Sequence, residues 1–85
     1  MSKDKVREAI CSNVARQLRE ERQRRCLSMN TLARKAGLSQ AMISFVERDL
    51  RNPTLDLLLR ITDVLELSLG EVIAKAEAQA SQKAP

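Results

Sequence analysis

One short segment in the middle of the chain carries side chains that can bond the edges of DNA bases. If residues 40–48 form a helix, at about 100° per residue, Ile43 and Val46 turn inward together, with Met42 on the same arc and Glu47 at its edge. The opposite face then presents a second set: Gln40, Ala41, Ser44, Phe45 and Arg48. A DNA major groove admits one helix, so this face is a candidate base-reading surface.

Each side-chain type on that face has a matching chemistry in the major groove. Gln40 can bond adenine through two hydrogen bonds, and Ser44 can donate to or accept from several bases. Ala41 and Phe45 can contact the methyl group of thymine. Phe45 is the only aromatic residue of the chain and stands opposite the inward arc. It could instead fold back over its apolar neighbours, because an isolated exposed Phe needs no function.

The residues before this segment supply a helix and a turn that would hold it in place. Ser28 can cap a helix whose inward face includes Leu32 and Ala33. Gly37 offers the positive φ that a helix end needs, and Ser39 can cap the next helix. The small Ala33 side chain lets the two helices approach closely. The pattern predicts a helix, a glycine turn and a second helix.

These residue types at this spacing resemble the DNA-binding helix-turn-helix. With Met29 as the first position, the characteristic places are filled by Leu32, Ala33, Gly37, Ile43 and Val46. The segments 38–40, 43–47 and 51–54 narrow the resemblance to the lambda-repressor-like, or XRE, family, and it extends from about Val14 to Ile73. The resemblance implies a compact, all-α, five-helix domain that binds DNA.

The resemblance also assigns roles outside the base-reading face. Arg22 occupies the position whose guanidinium pairs with a glutamate of the second helix, here Glu47, and it could still present an edge to phosphate. The other expected contacts to the DNA backbone are Ser28, Asn30, Ser39, Arg51 and Asn52. The neighbouring arginines are expected to form a solvated basic face: Arg19, Arg24 and Arg25.

Three positions depart from the family pattern. Cys26 stands where relatives usually have glycine, and a left-handed backbone there would cost roughly 1 kcal/mol or more. Asp49 also replaces a usual glycine, so a different local turn is expected. Met29 replaces a glutamine that typically anchors the helix to a phosphate. That contact is therefore expected to pass to Ser28, Asn30 and the backbone N–H groups of the helix start.

Composition and charge agree with a small helical protein and an anionic partner. The 85 residues make one domain near the lower limit for a stable single core, and the hydrophobic period is closer to 3.6 than to 2. Residues 1–54 carry 12 Lys and Arg against 6 Asp and Glu, a net +6, whereas residues 55–85 carry 3 against 5, a net −2. The basic half contains the candidate base-reading face, which fits binding to DNA phosphates.

Cys11 and Cys26 are the only cysteines and the chain has no histidine, so a usual four-ligand zinc site cannot be assembled from one chain. On one helix the two thiols would lie roughly 22 Å apart, too far to pair. We expect reduced thiols in a cytoplasmic protein, with an intermolecular disulfide or a redox sensor as the alternative. No membrane span, signal peptide or cofactor is expected.

The remaining chain divides into three parts. Residues 1–12 are expected to be a helical N-terminal extension, residues 13–78 the helix-turn-helix domain, and residues 79–85 a disordered tail. In residues 55–67 the apolar face is wider than a lone helix in a small monomer needs. We therefore expect a homodimer interface, with broad core packing as the alternative. The interface residues are expected to be Leu57, Ile61, Val64 and Ile73.

These expectations describe a dimeric DNA-binding transcriptional regulator. Two-fold symmetry would place two recognition helices in successive major grooves roughly 34 Å apart, so the operator should be an inverted repeat. Repression by covering a promoter is the simplest mechanism. The alternative is an antitoxin-like or adaptor module whose main role is to bind a protein partner. An enzyme is not expected, because the chain has no histidine and no glycine-rich phosphate loop.

Overall fold

A computed structural model describes residues 2–50 and 52–82, with only the backbone of residue 82. Within these ranges the chain forms five helices, which are α1 (Lys3–Arg24), α2 (Met29–Ala36), α3 (Gln40–Glu47), α4 (Leu55–Val64) and α5 (Leu69–Gln82). The predicted all-α class is therefore confirmed. In the part of the chain so described, no helix is long and apolar enough to cross a membrane.

Every helix starts at a hydroxyl side chain. The caps of α1 to α4 each accept a hydrogen bond of 3.0–3.2 Å from the backbone N–H three residues later, and they are Ser2, Ser28, Ser39 and Thr54. Ser68 accepts from the N–H of Glu71 at 3.3 Å at the start of α5. These bonds satisfy N–H groups that the first turn of a helix leaves without intrahelical partners.

The helices α1 to α4 all end in a left-handed turn of the same kind. The left-handed residues, with φ between 55° and 71°, are Cys26, Gly37, Asp49 and Glu66. In each case the N–H of the following leucine reaches the carbonyl five residues earlier, at 2.8–3.1 Å. This is the Schellman motif, in which a leucine commonly packs back on the helix. The left-handed backbone considered for Cys26 is present. Asp49 keeps the same turn, so the expectation of a different one is wrong. The turn at Glu66 is not predicted by the sequence.

The core lies where α2, α3 and α4 meet the second half of α1. Its buried residues are Leu18, Leu32, Ala33, Ile43, Val46, Ile61 and Leu65. The assignment of Ile61 to a dimer interface is wrong. This side chain is 2% exposed within a single chain, because α4 turns it into the core, so no surface is left for a partner. Leu57 and Val64 are partly buried against the same core, and Ile73 is half-buried on α5.

Helix α1 is one continuous rod that packs along α5 and against α3. Asn13, which is buried, donates from its side-chain amide to the carbonyl of Ala76 at 3.1 Å. Gln17 donates in the same way to the carbonyl of Val72 at 3.0 Å. Because both amides bind main-chain carbonyls, they fix the position of α1 along α5. The arginines in the second half of α1 therefore project from a helix whose position is fixed.

The predicted disordered tail begins too early. Helix α5 continues to Gln82, and Ala80 is buried. The composition after residue 78 predicts no buried side chains, but alanines at 76 and 80 are one helical turn apart and are both buried. Small side chains on this stripe allow close packing, which stabilises the last turn of the helix. Residues 83–85 lie outside the described residues.

Candidate nucleic-acid interface

The turn between α2 and α3 is built by Gly37. Its φ of 71° is in the left-handed region, and the N–H of Leu38 donates to the carbonyl of Ala33 at 2.8 Å. A Cβ at this position would lie 3.2 Å from Nη1 of Arg60. Glycine is therefore favoured mainly because of the left-handed backbone, and secondarily because a Cβ would crowd Arg60. Ser39 then caps α3, so only two residues separate the left-handed turn from the start of that helix.

Helix α3 has a buried face and an exposed face, as the residue pattern predicts. Ile43, Val46 and Glu47 are buried, and the first two belong to the core. On the other side Gln40, Ala41 and Arg48 are exposed, whereas Ser44 and Phe45 are half-buried. Four of the five candidate base-contacting residues thus lie on α3, and Arg48 follows as its C-cap. Their contacts with DNA stay a prediction.

The helical period predicts Met42 on the inward arc of α3, but this side chain does not lie there. Its side chain is 41% exposed. The inward positions are already taken by Ile43, Val46 and Glu47, which follow the spacing i, i+3 and i+4. Met42 precedes them by one residue and so falls at the edge of the buried face, beside the start of α4. The candidate base-reading surface consequently has an apolar border on this side.

Phe45 lines a shallow groove between α3 and the start of α4. The groove, of about 340 Å³, is also lined by Leu38, Met42, Pro53 and Leu57. Phe45 is half-buried rather than fully exposed. Part of its ring is covered by the protein, as the fold-back alternative expects, and this does not conflict with the predicted contact with DNA. The two interpretations of this residue are therefore compatible.

The residues expected to contact the DNA backbone are exposed polar groups near helix starts or in the following loop. Ser28, Asn30, Ser39 and Asn52 are all exposed. Ser28 and Ser39 use their hydroxyl oxygens as caps, and each hydroxyl stands beside backbone N–H groups of a helix start, where anions bind favourably. Arg51, the fifth expected contact, lies outside the described residues.

Arg22 and Glu47 form a buried, two-pronged ion pair between α1 and α3. Nε of Arg22 donates to Oε2 of Glu47 at 2.6 Å, and Nη2 donates to Oε1 at 3.0 Å. The side chains are 9% and 2% exposed. Nη1 of Arg22 also donates to the carbonyl of Leu27 at 2.7 Å. The guanidinium is thus committed to internal acceptors, and little of it is left for phosphate.

Arg19 also reaches Glu47, and sequence analysis missed this contact. Its Nη1 donates to the main-chain carbonyl of Glu47 at 3.2 Å. The expected solvated basic face therefore does not include Arg19, which is half-buried. A sequence signal was present, because Arg19 precedes Arg22 by three residues and so lies on the same face of α1. The other two arginines of that group remain near the surface.

Arg24 and Arg25 share the carboxylate of Glu21. Hydrogen bonds from Arg24 first, and then from Arg25, hold the pKa of Glu21 below its usual value. A lowered carboxyl pKa gives stability above the unfolded-state pKa, and this stability is lost as the pH falls through the folded-state pKa. The Arg24 side chain is mostly exposed, so solvent screens the pair and its contribution is small.

The two cysteines, Cys11 and Cys26, are exposed free thiols.

A family model described as helix-turn-helix matches residues 18–72, which is more than half of the chain. The chain therefore belongs to the XRE/Cro-type helix-turn-helix family. This family is one of DNA-binding domains involved in transcriptional regulation, not of enzymes. The matched range contains α2, α3 and α4, together with Arg19 and Arg22 on α1. No curated protein and no solved structure matches the chain.

Proposed function

We propose that the protein is a sequence-specific transcriptional regulator that uses α3 as its recognition helix. The observation that carries this proposal is the two-sided character of α3. Ile43 and Val46 fix one side in the core, and Gln40, Ala41 and Arg48 remain exposed on the other. A helix held in this way can enter a major groove without disturbing the fold. Gln40 is proposed as the main hydrogen-bonding reader, with Ser44 and Phe45 beside it.

The proposed interface separates base reading from phosphate binding. Gln40 contacts base edges in this proposal, whereas Asn52 and Arg51 contact the sugar-phosphate backbone, which carries no direct sequence information. The net +6 of residues 1–54 supplies the attraction that is independent of sequence. The exposed hydroxyls of Ser28 and Ser39 add contacts at helix starts.

Gln40→Ala tests base reading, with Asn52→Ala as the matched control. We expect Gln40→Ala to weaken binding to the preferred duplex by about 1–3 kcal/mol and to leave random duplexes almost unchanged. Asn52→Ala should weaken both duplexes by a similar factor. The preferred duplex is first obtained by selecting bound sequences from a random pool, and affinities are then measured by fluorescence anisotropy. Equal losses on both duplexes for Gln40→Ala would contradict its proposed role.

The proposal includes a homodimer that represses by covering an inverted-repeat operator. Leu57 and Val64 on α4, with Ile73 on α5, remain the proposed contact surface, because each is only partly covered within one chain. An isologous contact through this surface would give the two-fold symmetry that an inverted repeat needs. The selected sequences test the symmetry directly, since a single unpaired half-site would argue for a monomer.

Leu57→Glu tests the dimer surface. We expect it to give monomers by sedimentation velocity, because a charge would be placed in an apolar contact. Leu59→Glu is the matched control, since Leu59 is 42% exposed on another side of the same helix. Circular dichroism must show that both variants stay helical. A Leu57→Glu protein that is folded and sediments as the unmutated chain does would exclude this surface.

A further inference from the structure

Two arginines from α1 hold the same residue at the end of the recognition helix. Arg22 binds the carboxylate of Glu47 through two nitrogens, at 2.6 and 3.0 Å. Arg19, three residues earlier, donates from Nη1 to the main-chain carbonyl of Glu47 at 3.2 Å. One arginine therefore binds the side chain and the other binds the backbone. The two contacts have different mechanical consequences.

The contact to the backbone is the more direct constraint on α3. Between a carboxylate and its own Cα lie three rotatable bonds, so the Arg22 contact leaves freedom that only packing removes. A carbonyl oxygen is part of the rigid peptide plane, and a donor bound to it fixes the helix itself. Arg19 therefore limits how far the last turn of α3 can rotate about the helix axis or slide along α1.

The position of this contact also suits a positive charge. The end of a helix carries a partial negative charge, because its last carbonyls have no intrahelical donors. In α3 the Schellman bonds use the carbonyls of Val46 and Phe45, and Arg19 donates to the carbonyl of Glu47 beside them. Helix α3 has 8 residues, which is too short to be stable without tertiary contacts. A guanidinium at its end is thus well placed to stabilise it.

We propose that Arg19 is a positioning residue for base reading, which rests on the function proposed above. By fixing the last turn of α3, Arg19 sets the rotation at which Gln40 and Ser44 face the groove. Base-edge hydrogen bonds need a defined geometry, whereas phosphate attraction tolerates small rotations. Loss of the Arg19 contact should therefore reduce discrimination between duplexes more than it reduces general affinity.

Arg60 provides a matched control on the other helix of the motif. Its Nη1 points at the carbonyl of Ala36 at the end of α2, but at 3.5 Å, and its Nε pairs with Asp56 on its own helix. The side chain is 49% exposed. Arg60 therefore has the same charge and a similar place at a helix end, with a much weaker contact to the backbone.

The experiment compares Arg19→Met with Arg60→Met in the full chain, on the selected duplex and on a random duplex, over a range of salt concentrations. We expect Arg19→Met to lower the ratio of the two affinities by about tenfold, the size of one charge-assisted hydrogen bond, with an unchanged salt slope. Arg60→Met should change that ratio by less than about twofold, because its backbone contact is at the limit of hydrogen bonding. Equal losses on both duplexes for Arg19→Met, with a slope reduced by about 0.9, would show a phosphate contact instead and overturn the proposal.

A measurement without DNA separates this proposal from the function on which it rests. In the free protein, Arg19→Met should shift the ¹³C resonance of the Glu47 carbonyl and speed amide exchange in the last turn of α3. Arg19→Lys keeps the charge and a donor. Its Glu47 carbonyl shift and its amide exchange rates should therefore lie between those of Arg19→Met and the unmutated chain. An unchanged carbonyl shift and unchanged exchange in folded Arg19→Met would overturn the positioning role. Failure of the unmutated chain to bind any duplex would instead overturn the proposed function.

Discussion

The two ends of α3, the proposed recognition helix, are built by different means. At its start, Gly37 takes a left-handed turn and Ser39 caps the helix, so the hydrogen bonds that form the turn and the cap come from neighbours in sequence. At its end, Asp49 takes the left-handed turn, and Glu47 is held by Arg19 and Arg22 from another helix. The start is a local structure, and the end depends on tertiary contacts.

The geometry of the exposed face of α3 is therefore determined in two places. The hydrogen bonds of the turn between α2 and α3 are local, so they do not require a contact from another helix. The end of α3 is correct only when α1 is in place, and α1 is itself fixed against α5 by Asn13 and Gln17. The helix-turn-helix is thus coupled through α1 to α5.

The largest effect is expected from breaking the contact at the end of α3. Arg22→Met leaves the Glu47 carboxylate buried without a partner, and such losses cost roughly 3–5 kcal/mol. The change should be measured as the free energy of unfolding in urea. For a small domain with a total stability of about 5–15 kcal/mol, this loss could unfold a large fraction of the protein.

The matched control removes both charges. Arg22→Met combined with Glu47→Leu replaces the pair by apolar side chains, which is often neutral once no buried charge remains. We expect the double variant to recover most of the stability that Arg22→Met loses. A double variant as unstable as the single one would mean that the shape of the pair, and not its charge, supports this end of α3.

A smaller effect is expected at the start of α3. Gly37→Ala places a Cβ on a left-handed residue, which costs about 1–2 kcal/mol and is partly offset by a less flexible unfolded chain. The added methyl group would also come close to Nη1 of Arg60, but that group is the end of a flexible side chain and can move. Thermal unfolding followed by circular dichroism should show a lower Tm than for the unmutated chain. A Tm equal to or above that value would mean that the turn does not need glycine.

The same contrast explains what could be predicted from the sequence. The glycine turn and the serine caps around α3 depend on neighbouring residues, and sequence analysis found them. The pairing of Arg22 with Glu47 was available only through the resemblance to a family, because it joins residues 25 apart in sequence. The spacing of Arg19 and Arg22 shows that they share a face of α1, but it does not show which carbonyl lies opposite Arg19, so a solvated charge is the sequence-based expectation.

Two further errors have the same origin in tertiary packing. Ile61 lies on an apolar stripe that sequence alone could assign either to a partner or to the core, and the fold turns it into the core. The end of α5 looked too polar and too small to be buried, but alanines at 76 and 80 pack tightly. Periodicity shows which residues share a face, and it does not show what covers that face.

The smallest expected effects come from the left-handed turns that lack glycine. Glu66→Gly should stabilise the protein by about 0.5–1 kcal/mol, because glycine removes the steric cost of a positive φ, and this gain is only partly offset by the larger unfolded-state entropy of glycine. Asp49→Gly should gain only a few tenths of a kcal/mol, since aspartate tolerates this conformation better than glutamate does. The measurement is the urea midpoint of each variant at an unchanged m value.

The comparison of these two variants also tests the end of α3. Glu66 lies in the turn between α4 and α5, away from the recognition helix, whereas Asp49 lines the same cleft as Arg19 and Arg48. If Asp49→Gly destabilises while Glu66→Gly stabilises, the Asp49 carboxylate must contribute to the charged contacts at the end of α3. If both stabilise, the two arginines and Glu47 hold that end without it, and Asp49 occupies the turn only because its backbone can adopt the required φ.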